Sequence, residues 1–269
     1  MPQMNQTFAS LIARLDDPAV GKTRVIPWSS PVPSFGDWST ALVGTVGLNP
    51  SSREFQDETG VELEGERRRL QTLRSLGISR WSEAGPTHLD RVIESCRTYF
   101  AGNPYNTWFR SLDAVIAGTT ASFYGGSVRA AHLDLIPFAT ACKWIKLRTL
   151  ERRQLLKLAG DTLGLLLRES PIRLLVLNGM AVVSTLEGLA RERFVRHRTT
   201  AWCLPRSAGM PVPGFAFSGT IQEIGGVKFG RTVRVLGFNH NLQSSFGVTA
   251  HARSAIRDWI GAVGREAIA

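Results

Sequence analysis

Ala41-Leu42-Val43-Gly44-Thr45-Val46-Gly47 runs directly into Leu48-Asn49-Pro50-Ser51-Ser52. The first seven residues are apolar, small or β-branched, which predicts a short buried strand; the proline and serines end it. Three further stretches read the same way. Residues 131–136 stop at Pro137, residues 172–177 break at Asn178-Gly179, and residues 233–238 end at Asn239-His240-Asn241. Residues 215–221 and 227–238 are expected to pair as a hairpin through Gly225-Gly226.

Helical patterns lie between these strands. Residues 67–76 are expected to be helical and to close at Gly77, and apolar residues at 89, 92, 93, 96 and 100 follow helical spacing. One long amphipathic helix is expected over about 151–169, and another over 252–263. The proline-rich residues 27–36 read as a surface loop. Short apolar strands alternating with helices predict an α/β fold with a mostly parallel sheet covered on both faces. No linker or repeat divides the chain, so residues 1–269 are read as one domain. In such a sheet ligands bind beyond the carboxyl ends of the strands. Four polar groups then share one rim: Asn49 with its serines, Asp134, Asn178, and Asn239-His240-Asn241.

Charge narrows the partner. The chain carries 32 Lys+Arg against 22 Asp+Glu, a net charge of +10, and arginine predominates. A polyanion, nucleic acid above all, is the expected partner, although a GC-rich genome also raises arginine content. No apolar run is long enough to span a membrane, and no secretory leader is read at the start. The three cysteines, Cys96, Cys142 and Cys203, are far apart and form no C-x-x-C. They suit a reducing, cytoplasmic setting, without a disulfide framework or a thiolate metal site. Nucleophile-elbow and metalloprotease signatures are missing from the sequence. Gly21-Lys22-Thr23 lacks the upstream glycine of a phosphate-binding loop. The basic residues 191–198 read equally as a solvated helix end or a phosphate-tracking patch.

Taken in order, the strand-end motifs resemble those of the uracil-DNA glycosylase superfamily. Val46-Gly47-Leu48-Asn49-Pro50-Ser51 is similar to its first motif, and Leu236-Gly237-Phe238-Asn239-His240-Asn241-Leu242-Gln243-Ser244-Ser245 to its second. Leu133-Asp134-Leu135-Ile136-Pro137-Phe138 stands where the family reads the base, and Leu177-Asn178-Gly179 matches a third strand end. The chain departs from the family at Asn49, where many relatives have aspartate, at Asn241-Leu242-Gln243, where His-Pro-Ser-Pro is usual, and at Asp134, where asparagine reads uracil.

The resemblance implies a three-layer α/β/α sandwich around a mostly parallel four-stranded sheet. It also implies a monofunctional, monomeric DNA-repair glycosylase that flips a damaged base, uracil first, and hydrolyses its glycosidic bond without metal or cofactor. On it, Asn49 orients water and His240 donates to the departing base. Phe55 stacks on the base, and Asp134 or Asn178 reads it. Ser51, Ser52, Arg53, Asn241, Ser244 and Ser245 grip the DNA, and residues 242–246 read either as the source of a wedge or as a packed loop. An ionised Asp134 would repel uracil O4. Either burial raises its pKa, or Asn178 reads the base, or the substrate is another deaminated base. A catalytically altered DNA-binding protein of the same fold is the alternative.

Overall fold

The computed structural model describes residues 2–102, 106–206, 209–243 and 247–269. Eight strands appear among them: β1 (Ser34–Phe35), β2 (Val43–Gly47), β3 (Ala121–Ser122), β4 (Val128–Asp134), β5 (Leu174–Asn178), β6 (Val195–Arg198), β7 (Phe215–Ile224) and β8 (Val227–Phe238). The sheet order is β1-β4-β2-β5-β8-β7-β6, with β3 paired to β4. The fold is α/β, and the sheet is mixed. β4, β2, β5 and β8 run parallel, while β1, β7 and β6 join antiparallel. The expected parallel run is therefore the middle of a wider sheet.

The parallel strands carry the most apolar sequence because both their faces are covered. Val43, Val46, Leu133, Leu174 to Leu177, Val235 and Leu236 are fully buried. The helix Met180–Ala190 packs on one face, where Val183 lies over Gly237. The helix Ala250–Ile268 packs on the other, where Gly264 lies between Leu174 and Leu236. Successive residues of a strand point to opposite faces, so Leu236 and Gly237 assign these two helices to opposite sides.

The last helix needs its glycines. Gly261 rests on the backbone of Gly118, and a Cβ at Gly261 would lie 2.5 Å from the Gly118 carbonyl oxygen. Gly261→Val is expected to cost about 1–3 kcal/mol through this overpacking, read as a lower urea midpoint at unchanged slope.

Several expectations change in detail. The long helix over 151–169 is two helices, Thr149–Ala159 and Thr162–Arg168. Asp161, at the break, binds Arg14 through both carboxylate oxygens, at 2.5 and 2.8 Å. The backbone of Gly160 and Asp161 also meets Gly225 of the β7–β8 turn, leaving no room there for a side chain. Residues 67–76 hold only the short helix Leu73–Leu76, closed by Gly77 at φ +76°. The proline-rich segment supplies β1, which pairs with the end of β4. The basic run opens on a helix end, Arg191 capping the helix Met180–Ala190, and then forms an edge strand, β6, whose four residues are all exposed. Gly225 and Gly226, at φ +58° and +83°, make the expected hairpin turn.

Candidate active site

Parallel register brings the first motif beside Asp134. Gly47 pairs with Asp134, and the two chains stay zipped beyond the strands: Leu135 N–H donates to the Gly47 carbonyl and Ile136 N–H to that of Leu48. On the other side of β2, Val46 pairs with Leu177, and β5 in turn pairs Asn178 with Phe238 of β8. A cavity of about 430 Å³ opens at this rim. Residues 47–54 form one wall and Thr140, Cys142, Lys143 and Trp144 another. Phe35, Trp108 and Phe109 supply aromatic rings, His132 and Asp134 line the wall from β4, and Asn241 and Gln243 close the remaining side. A wider depression of about 730 Å³ at the opposite end of β8 is a different feature. The guanidinium of Arg231 there is already donated to the Leu167, Ser170 and Ile172 carbonyls.

Asn49 lines the cavity in a fixed orientation. Its amide nitrogen lies 3.2 Å from the Phe138 carbonyl and 3.0 Å from Thr140 Oγ1. Thr140 gives its hydroxyl proton to the Cys142 carbonyl at 2.8 Å, so Oγ1 can only accept from Asn49. The Asn49 amide hydrogens are thus spent on the protein, and its carbonyl oxygen is the group left for a ligand or water. With the Pro50 carbonyl, also 3.2 Å from the amide nitrogen, the same contacts explain why asparagine stands here: an aspartate would set a carboxylate against three acceptors.

Asp134 is buried beside His132. The carboxylate Oδ1 lies 3.7 Å from His132 Nε2, and His132 Nδ1 lies 2.7 Å from Thr45 Oγ1. Both side chains cross the face of Gly47, where a Cβ would come within 2.5 Å of Asp134 Oδ1 and 2.8 Å of His132 Nε2. Glycine is therefore the residue that fits. Desolvation raises the Asp134 pKa above the ordinary carboxylate value, and His132 pulls it back only in part. Glu54 is a second buried carboxyl in the wall. Burial raises its pKa too, against the Tyr99 hydroxyl that donates to it at 2.7 Å and Arg69 at 3.5 Å, and Asp134 adds to the rise. Both acids are thereby biased toward the neutral form.

Other expected residues are placed differently. His240 is buried outside the cavity lining, and its Nε2 lies 2.6 Å from the Trp202 carbonyl. A carbonyl only accepts, so Nε2 carries the proton. Desolvation lowers the His240 pKa, and the neutral ring has no second N–H to offer a departing base. The donor role expected for His240 is corrected accordingly: its contact positions the segment around Trp202. His240→Phe is expected to cost about 1–3 kcal/mol by orphaning that carbonyl, read by thermal melting.

Phe55 is likewise corrected. It is 1% exposed and packed edge-on to Trp28 at 6.3 Å, and the aromatic rings that line the cavity are instead Phe35, Trp108, Phe109 and Trp144. Asn178 does not line the cavity. Its amide donates to Gln243 Oε1 at 2.6 Å and its carbonyl accepts Leu242 N–H at 3.1 Å, while Gln243 Nε2 donates to the Trp108 carbonyl at 3.1 Å. This chain ties the loop after β8 to the helix Asn106–Ile116, making Asn178 a positioning residue.

Ser51, Ser52, Arg53 and Asn241 line the cavity. Ser51 Oγ caps the turn that follows by accepting Arg53 N–H, and the Arg53 guanidinium rests on exposed Glu58 at 2.8 Å. Such a surface pair is worth little. Ser244 and Ser245 lie outside the described residues. Sequence reasoning missed His132, Glu54, Trp108 and Thr140. Of these, His132 carried a signal, since it stands two residues before Asp134 and shares its strand face. Among the described residues no group of His, Cys, Asp or Glu could hold a metal ion, and no helix is long and apolar enough to cross a membrane.

No known family profile matches this chain, and no curated protein matches it.

Proposed function

We propose that the chain is a DNA glycosylase that accepts a flipped base in this cavity and hydrolyses its glycosidic bond, leaving an abasic site. The finer likeness to the uracil-DNA glycosylase fold belongs to the same proposal. The observation that carries it is the convergence of Asn49, with only its carbonyl to offer, and buried Asp134 in one aromatic-walled cavity on a strongly basic chain.

A base entering this cavity meets Phe35, Trp108 and Phe109 on its faces and Asp134 at its edge. A neutral carboxyl both donates and accepts, so Asp134 matches uracil as an amide does: its O–H to O4, its carbonyl oxygen from N3–H. As the bond breaks, positive charge grows on the sugar, and water held by the Asn49 carbonyl attacks the sugar carbon. An oxocarbenium-like sugar needs little nucleophile activation, so orientation suffices. The water's hydrogen and hydroxyl end on the base and the sugar respectively.

The test is base release from a panel of oligonucleotides carrying uracil, hypoxanthine, xanthine or mismatched thymine, read by alkali cleavage. Release of one base, uracil first, is expected; no alkali-labile site from any of them sinks the reading. The engagement of His240 by Trp202 favours a second reading, a DNA-binding protein without turnover. Salt-sensitive binding with no release would select it.

A further inference from the structure

Residues 142–150 read Cys-Lys-Trp-Ile-Lys-Leu-Arg-Thr-Leu. Cys142, Lys143 and Trp144 line the cavity, and the one-turn 3-10 helix Trp144–Lys146 continues the chain from this wall. The base of this turn is fixed. Leu147 is buried in the core, Lys146 N–H donates to the Lys143 carbonyl at 2.8 Å, and Ala141 N–H donates to that of Arg24 at 2.8 Å. At its apex Ile145 is 81% exposed. An aliphatic side chain held in water by an anchored turn adds nothing to the core. Lys143 and Lys146 stand exposed on either side of it.

An apolar tip between two cations, beside a cavity sized for a base, matches the chemistry of a DNA duplex. The cations meet phosphates, and the aliphatic group meets the apolar faces of stacked base pairs. We propose that Ile145 enters the duplex and fills the stack position left by the base in the cavity, with Lys143 and Lys146 on the flanking phosphates. The proposal rests on the reading that this cavity takes a base from DNA. Of the residues 242–246 expected to supply a wedge, Leu242 is buried with its N–H held by Asn178, and residues 244–246 lie outside the described residues.

A wedge matters only where there is a stack to hold open. The test uses the full-length protein and a duplex with 2-aminopurine next to the target base, whose fluorescence rises on unstacking. Release is measured in parallel on the same target in single and double strands. Wild type should raise the fluorescence, and Ile145→Ala should lose most of that rise. The variant should also lose ~10-fold or more of duplex release while single-strand release stays within ~2-fold. Its melting temperature should not move, since the side chain is exposed. A rise that is absent in wild type, or unchanged in Ile145→Ala, overturns the wedge even if bases are released. An Ile145-dependent rise without release from either strand form leaves the wedge standing and removes the glycosylase reading. Loss of binding to anionic phosphatidylserine vesicles in Ile145→Ala, with the fluorescence rise intact, would assign the tip to a membrane surface and overturn the proposal.

Discussion

Asn49→Ala is expected to slow the proposed base release on the order of 10²-fold, because in that proposal the attacking water loses the carbonyl that orients it. Removing the amide also leaves the Phe138 carbonyl and Thr140 Oγ1 without their donor. That should cost about 1–3 kcal/mol of stability, so release must be read in single turnovers well below the melting temperature. Asn49→Asp sharpens the test. An aspartate is a better base for water, yet here its carboxylate faces two carbonyls and a hydroxyl oxygen whose proton is already given to Cys142. The aspartate variant should therefore be less stable than wild type, increasingly so as pH rises through the ordinary carboxylate range. Release by Asn49→Ala at the wild-type rate would remove Asn49 from the chemistry.

Asp134→Asn should separate stability from base reading. In the folded wild type burial raises the Asp134 pKa above the ordinary aspartate value of about 3.9 that describes the unfolded chain. The folded state then holds this proton more tightly, so its stability falls as pH rises from about that value through the folded one. Each tenfold difference in proton affinity corresponds to about 1.4 kcal/mol. Asparagine does not titrate, so the variant should gain on wild type between acid and neutral pH, in melts run across that window. His132 and Glu54, with its partners Tyr99 and Arg69, are the charged and titratable neighbours, and both proteins share them. If the neutral carboxyl reads the base, wild-type release should decline as pH climbs through the raised value. Release by Asp134→Asn on a uracil substrate should stay level there. Identical pH profiles for the two proteins would refute the reading of Asp134 as the base-contacting acid.

The local grammar of this chain was legible. Apolar, β-branched runs marked β2, β5 and the ends of β4 and β8, since a strand buried on both faces has to be apolar throughout. Gly225-Gly226 marked a hairpin because both positions need positive φ. Parallel order alone placed Asn49 and Asp134 at one rim. What stayed illegible was every choice between neighbours distant in sequence. Phe55 follows the first motif closely, yet it turns into the core, and the cavity takes its rings from β1, the helix Asn106–Ile116 and Trp144. His240 ends its strand as the pattern suggests, yet the Trp202 carbonyl, 38 residues away, claims its proton. Asn178 sits at a strand end but spends both halves of its amide on the loop after β8.

The sequence by itself determined the α/β class, the parallel middle of the sheet and the rim where polar groups gather, because those follow from periodicity and backbone conformation. Tertiary structure alone decided which of those groups face the cavity and in which protonation state. A side chain's direction and a carboxyl's pKa depend on what the rest of the chain packs against them.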